Sequence, residues 1–391
     1  MINSFYLARI PDIHFGAGKF NQIGEIIRTF GRNILVITGN RSLEENGKWD
    51  VLKSILKKEG INFDRKTLIS EPDPEFIDQI TGEYKNKKVD VVLAIGGGSV
   101  MDAGKAVSAM IPIGDRVEEY LEGVGTKSHP GIKLPFIAVP TTAGTGSETT
   151  KNAVISKVGE NGFKKSLRHD NFIPDVAIVD PELTLDLPKH ITAACGQDAF
   201  TQLLESFVSS KATPLTDALA LSGLEQIKYS LLTAAIENPK DIKARSGMAY
   251  AAMLSGITLA NAGLGLVHGF ASSIGGMFSI PHGTICGTLM GACTRANIEL
   301  LSENKSNEKA LNKYAKVGRL FLQGKIESDA DVAMALADLI DKWTEILEIH
   351  RLSDFGVSDD SLSQIIESTG QKNNPVKIEK SILTKILKSR L

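Results

Sequence analysis

VDVVLAIGGGSVMDAGKAVSAM, residues 89–110, decides the fold. Val89 to Ile95 is a short apolar run rich in valine, of the kind buried on both faces of a parallel sheet. Gly96 to Gly98 end it, and Val100 to Met110 reads as a helix. Strand, glycine turn and helix in that order predict one unit of an alternating β/α domain. Working outward, Asn33 to Thr38 (NILVIT), Pro135 to Val139 and Val176 to Val179 are further buried strands, and Trp49 to Glu59 is a helix with charges on one face. From about Pro188 the β-branched runs stop. Ala193 to Ser210, Thr216 to Leu232, Met248 to Gly263 and Ser328 to Ile349 are rich in Ala, Leu, Ser and Gly with helical periodicity. The expectation is an α/β N-terminal domain with a parallel sheet over 1–184 and an all-α C-terminal domain over 185–391. A chain of 391 residues is long enough for two domains with large cores.

Composition excludes several classes. The net charge of -2 comes without a basic stripe, so nucleic acid is not an expected partner. No window reaches the roughly 18 uninterrupted apolar residues of a membrane span. Met1 to Ile10 carries Asn3, Ser4 and Arg9 and does not read as a signal peptide. Cys195, Cys286 and Cys293 form no CxxC pair, and an odd, sparse set suits a reducing, cytoplasmic compartment. Lys305 to Lys313 reads as a solvated face or loop.

Three constellations carry chemistry. Gly96-Gly97-Gly98-Ser99 lies between strand and helix, where glycines let a diphosphate approach the backbone and a helix N-terminus offers free N–H groups. The dinucleotide pattern GxGxxG is not met, because Met101 holds the last glycine position. A tight turn is the plain alternative. Asp102 either caps the following helix or orients the loop against a nicotinamide ribose. The second constellation is Pro140 to Glu148 (PTTAGTGSE), whose Thr141, Thr142, Thr145 and Ser147 suit a ligand rich in oxygen. A polar loop without a ligand would have the same composition. The third is in the helical half. Asp198 and Gln202 share a helix face, and His268 and His282 recur in similar settings, Val267-His268-Gly269 and Pro281-His282-Gly283. Two oxygens and two imidazoles suit zinc or ferrous iron, although a lone histidine on an apolar helix is usually a core residue.

Together these motifs resemble the iron-containing (group III) alcohol dehydrogenase family, from Ile13-His14-Phe15-Gly16-Ala17-Gly18 to Asn373-Asn374-Pro375, with Gly196-Gln197-Asp198-Ala199 and Gly265 to His268 between them. The resemblance implies a Rossmann-like domain joined to an all-helical one, as in the dehydroquinate synthase architecture, with cofactor and metal in the cleft. It implies a soluble homodimer or higher oligomer acting on a small alcohol or aldehyde with NAD or NADP and a divalent metal, Fe2+ or Zn2+. The family's metal ligands fall on Asp198, His268 and His282. Two positions depart: Gln202 stands where the family has a ligating histidine, and Ser272 where it has a second histidine after His268. Gln202 is a weaker, neutral oxygen ligand. In this reading His268 and Ser272 carry the catalytic roles, with Ser272, a water or the ribose hydroxyl relaying the proton.

Lys164 matches the family's cofactor-contacting lysine, and a surface charge on a hairpin is the alternative. After the first nucleotide-domain strand, Gly39-Asn40-Arg41-Ser42 lacks the carboxylate that would repel a 2′-phosphate, so Gly39, Arg41 and Ser42 favour NADP. Competing readings are a metal-free reductase of the maleylacetate reductase kind, a lyase of the dehydroquinate synthase kind, and a non-catalytic binding protein. The lyase would need several cations about its substrate. Lys211, Lys228, Lys240, Lys243 and Arg245 all lie away from the motifs.

Overall fold

The computed structural model describes residues 4–159, 162–304, 307–324 and 328–391. Met1 to Asn3, and Lys305 and Ser306 of the charged run, lie outside them. Strands β1 (Asp12–Phe15), β2 (Asn33–Thr38), β3 (Asn62–Thr67), β4 (Val91–Gly96), β5 (Phe136–Pro140) and β8 (Val176–Val179) form one sheet in the order β1-β8-β5-β4-β2-β3. Every pairing in it is parallel. Strands β6 (Asn152–Lys157) and β7 (Phe163–Arg168) make a separate antiparallel hairpin. The helices of this half are α1 (Ile23–Arg28), α2 (Ser42–Glu45), α3 (Lys48–Glu59), α4 (Pro74–Tyr84) and α5 (Gly98–Met110). The helical half holds α6 (Lys189–Val208), α7 (Pro214–Leu232), α8 (Ile242–Ala262), α9 (Leu266–Met277), α10 (His282–Asn304), α11 (Glu308–Phe321), α12 (Asp329–Ile346), α13 (Leu362–Ser368) and α14 (Lys380–Lys388).

The sheet forms because its central strands are apolar on both faces. In β4 Val92 and Ala94 enter one core, with Met101, Val107 and Phe136. Val91, Leu93 and Ile95 enter the other, with Ile23, Leu52 and Ile137. Each fully buried valine, leucine or isoleucine is worth about 1.5–3 kcal/mol, so the sheet is held from both sides.

Strand order matters for function. The chain passes from β2 outward to β3, returns to β4 and then runs the other way to β5. The direction reverses between β2 and β4, and a crevice opens beyond their carboxyl ends, where such sheets bind ligands. Register sets Thr38 beside Ile95 and Gly96 beside Pro140. Gly39, the glycine run and the hydroxyl-rich loop therefore all emerge at that crevice.

The two halves are locked by close backbone contact. A Cβ added at Gly256 of α8 would fall 2.1 Å from the Gly146 carbonyl, and Gly146 itself has φ 61, which favours glycine. Thr149 Oγ1 donates to the Met253 carbonyl at 3.0 Å. Several expected boundaries move by a few residues: α5 begins at Gly98, and α6 begins at Lys189 and ends at Val208. Strands β1, β3, β6 and β7 do not stand out in the hydropathy pattern. Among the described residues no single helix is long and apolar enough to cross a membrane.

Candidate active site

Helix α5 begins at the crevice with Gly97 as its N-cap and no side chain capping its first amides, so those N–H groups are free for a ligand. The glycines are there for space. A Cβ at Gly98 would lie 2.6 Å from Thr145 Cγ2, and one at Gly97 would lie 3.3 Å from Thr142 Cγ2. Thr142 and Thr145 thus wall the cradle. Thr141 is buried and donates its backbone N–H to the Gly96 carbonyl at 2.8 Å.

Asp102 and Ser147 lie underneath the cradle and are joined to each other. Ser147 Oγ donates to Asp102 Oδ1 at 2.5 Å, and the other Asp102 oxygen accepts the Val154 N–H at 3.1 Å. Asp102 caps nothing; it ties the loop and the β6–β7 hairpin to α5. The wholly buried Lys105 completes the tie, donating to the Ser147 carbonyl, Thr150 Oγ1 and the Asn152 carbonyl at 2.8–2.9 Å. Burial pulls its amine down to about 8 and pushes the Glu148 carboxyl up to about 7. Ser99 Oγ and Lys164 Nζ both meet Glu71, each at 3.2 Å. Arg41 and Ser42 are exposed at the start of α2.

Across the crevice, α6 presents Asp198, Gln202 and Glu205 on one buried face. Successive offsets of four and three place them there. Helix α9 starts at Gly265, where Asn374 Oδ1 accepts the Leu266 N–H at 3.2 Å and Glu205 accepts the Val267 N–H at 2.7 Å. Two orphan amides of α9 are thereby satisfied, and His268 is set in the first turn. The other Glu205 oxygen lies 2.7 Å from His268 Nδ1. That contact puts a proton on Nδ1 and fixes the ring so that Nε2 faces Asp198, 3.3 Å away. Helix α10 begins at His282, tight against α6: a Cβ at Gly283 would lie 2.3 Å from the Ala194 carbonyl. His282 Nε2 is 3.7 Å from Asp198 Oδ1.

One turn along α10, Cys286 completes the group. Its Sγ is 3.7 Å from both His268 Nε2 and His282 Nε2. Asp198, His268, His282 and Cys286 each bring one ligand atom within 4.8 Å of all the others. Gln202 turns its amide oxygen away from this point. Its amide nitrogen donates to Asp198 at 3.1 Å, and its amide oxygen accepts from Ser255 Oγ at 2.7 Å. Ser272 is exposed, and its hydroxyl donates at 3.5 Å to the Lys164 carbonyl, on the nucleotide side of the cleft.

The electrostatics suit a cation. Burial works to raise the Asp198 carboxyl, but His282 and His268 outweigh it and hold the group below its ordinary value. Burial pulls the His282 imidazole down to about 4, against the attraction of Asp198 and with a further push from Lys164. His282 is therefore neutral at pH 7 with one ring-nitrogen lone pair available, and its Nδ1 is buried without a partner among the described residues. Burial disfavours charge on His268 too, yet Cys286, Asp198 and Glu205 hold it above its ordinary value. Burial pushes the Cys286 thiol up to about 12 without a metal. A divalent ion reverses that preference, because a coordinating thiol is deprotonated outright.

Similarity to known proteins follows the same two halves. Residues 11–181 match the family model for iron-containing alcohol dehydrogenase, and residues 192–391 match that for the C-terminal part of the same family. The chain belongs to the iron-containing alcohol dehydrogenase family. Members are alcohol oxidoreductases working with NAD at a divalent-metal site, and this chain is such an enzyme. It is 35% identical over 312 residues to long-chain-alcohol dehydrogenase 1 of Geobacillus thermodenitrificans, covering 77% of this chain and 78% of that one. The alcohol dehydrogenase from Oenococcus oeni has the same architecture, with a TM-score of 0.88 and 30% identity over 99% of this chain and 100% of that one. A sulfoacetaldehyde reductase from Bifidobacterium kashiwanohense, solved in complex with NAD+, matches with a TM-score of 0.84 and 25% identity over 99% of each chain.

Cys286, Glu205 and Glu71 were not among the expected site residues. The first two had a signal in the sequence: Cys286 follows His282 by four and Glu205 follows Asp198 by seven, spacings that share a helix face. Glu71 had none, because it follows an edge strand and meets Ser99 and Lys164 only through the fold.

Proposed function

We propose that this enzyme exchanges a hydride between a small alcohol or aldehyde and a nicotinamide nucleotide in the cleft between the glycine cradle and the Asp198 cluster. The carrying observation is their adjacency. Lys164 contacts Ser272 on α9 and is close enough to His282 to shift its titration, while Ser255 joins the Gly144 carbonyl of the hydroxyl loop to Gln202 and so to Asp198. In this reading Gly96, Gly97, Gly98 and Ser99 hold the diphosphate, with Thr141, Thr142 and Thr145 beside it, and Lys164 turns from Glu71 to the cofactor.

A divalent metal, when held by Asp198, His268 and His282, supplies Lewis-acid polarisation of the substrate oxygen. The residues fit that group: a buried carboxylate faces two imidazoles, one with its tautomer set by Glu205. This donor set favours the metal enzyme over the metal-free reductase. The lyase reading loses a cation, since Arg245 is buried on Thr192 and the Pro239 carbonyl. Ser272, at the open side, relays the substrate proton to water or the ribose hydroxyl.

The finer assignments rest on local chemistry. Gly39-Asn40-Arg41-Ser42 supports NADP beside NAD, with exposed Arg41 for the 2′-phosphate. The division at 184/185 falls between the last strand and α6. Three free cysteines support a cytoplasmic setting. Exposed Phe5, Tyr6 and Ile10 support a homodimer through the N-terminal segment.

The test is a steady-state screen of short alcohols and aldehydes with both cofactors, on wild type, Asp198→Ala and Ser272→Ala. Asp198→Ala should lose at least about three orders of magnitude in kcat/KM while still binding nucleotide. Ser272→Ala should lower kcat with a changed pH profile. Full activity in Asp198→Ala would reject the reading, and an unchanged Ser272→Ala would remove the serine from the relay.

A further inference from the structure

We propose that Cys286 is a metal ligand in this enzyme, so that its centre is an Asp–His–His–Cys site in which a thiolate replaces an imidazole and Gln202 only braces Asp198. The inference rests on the metal reading above and concerns which atoms hold the ion.

Geometry carries it. Zinc bound at about 2.0–2.1 Å to nitrogen or oxygen and about 2.3 Å to sulfur, in a tetrahedron, sets nitrogen–oxygen edges of about 3.4 Å and sulfur–nitrogen edges of about 3.6 Å. Four edges here are 3.3 and 3.7 Å from Asp198 Oδ1 to the His268 and His282 nitrogens, and 3.7 Å from Cys286 Sγ to each nitrogen. All four lie within a few tenths of an ångström of those lengths. Cys286 belongs to the apolar cluster of α9, α10 and α13, yet its sulfur lies 3.7 Å from each of two imidazole nitrogens.

The Gln202 network points the same way. Both ends of its amide are engaged, the nitrogen by Asp198 and the oxygen by Ser255. As a donor to Asp198 it fixes the carboxylate and leaves the coordination position to another residue. Cys286 is that residue: wholly buried, four residues after His282, and on the same face of α10.

The chemistry differs from that of an all-imidazole set. On binding, the thiol releases its proton to solvent and forms a sulfur–metal bond, so ion uptake liberates one proton from Cys286. Two anionic ligands, Asp198 and Cys286, then balance a divalent ion. Thiolate sulfur shifts preference from ferrous iron toward zinc.

The test uses the full-length protein stripped of metal and titrated with Co2+ alone, followed by near-ultraviolet and visible absorption. The wild type should take up the ion with a sulfur-to-cobalt charge-transfer band. Cys195→Ser and Cys293→Ser should keep the band. Cys286→Ser and Cys286→Ala should lose it and bind at least about tenfold more weakly. Because the wild-type spectrum is itself diagnostic, the test survives a variant that folds poorly. A wild-type cobalt complex without the band, or a band that persists in Cys286→Ser, overturns the thiolate and leaves the metal reading intact. No cobalt uptake by the wild type overturns both.

Discussion

Glu205 never reaches the centre of the Asp198 cluster, yet it determines how His268 enters it. One carboxylate oxygen receives the imidazole Nδ1–H and the other the Val267 N–H. Glu205→Gln can keep one of these contacts but gives up the charge that makes the imidazole a better ligand. Metal affinity, measured by competition with a chelator, should fall about 10- to 100-fold with little change in Tm. Unchanged affinity would show that His268 does not ligate through Nε2. Glu148 tests the buried charges beneath the cradle. Its carboxyl is raised from 4.5 to about 7, so the folded state binds the extra proton between those values and stability falls as pH climbs through that window. Full ionisation costs at most about 3 kcal/mol on that linkage. Glu148→Gln should therefore gain Tm over wild type as pH is raised from about 5 to about 8. A constant Tm difference would contradict the buried-acid account. Asp198, His268 and His282 were legible from residue type and order. Cys286 was read only for disulfides, and its meaning needed the approach of α9 to α10, which no local pattern encodes.

At the scale of elements, the glycines show where backbone must pass backbone or ligand. Gly98→Ala places a methyl 2.6 Å from Thr145 Cγ2, in the space above the first turn of α5. Nucleotide affinity, followed by NADH fluorescence, should fall at least about tenfold, with part recovered when Thr145→Ala is added, because the two sites share one contact. No recovery would mean that the methyl meets the ligand itself. Strands β2 and β8 were legible to the residue, since each carries an unbroken apolar run of four residues and is followed by Gly39 or by Asp180-Pro181. Edge strand β3, NFDRKT, was not: every one of its residues is charged or exposed, and only its pairing with β2 makes it a strand. The hairpin β6–β7 entered the sequence reading only as an alternative setting for Lys164, because charges break up the apolar pattern of β7. It matters because it brings Lys164 to α9.

At the scale of the whole molecule, the nucleotide crevice and the Asp198 cluster belong to different halves. They face each other because α8 meets the hydroxyl loop with glycine against glycine, and because α9 and α10 both start beside α6. The β/α alternation and the later helical periodicity made both architectures legible, but not their mutual placement, which depends on contacts between residues a hundred positions apart. The central claim is that a metal held by the helical half is required for chemistry carried out with a nucleotide held by the sheet. Metal analysis of the purified enzyme, with alcohol oxidation assayed before chelation, after it and after re-addition of zinc or iron, tests it directly. The account predicts a single metal ion per chain, activity lost on its removal with nucleotide binding retained, and activity regained on its return. Full turnover by metal-free protein would contradict it.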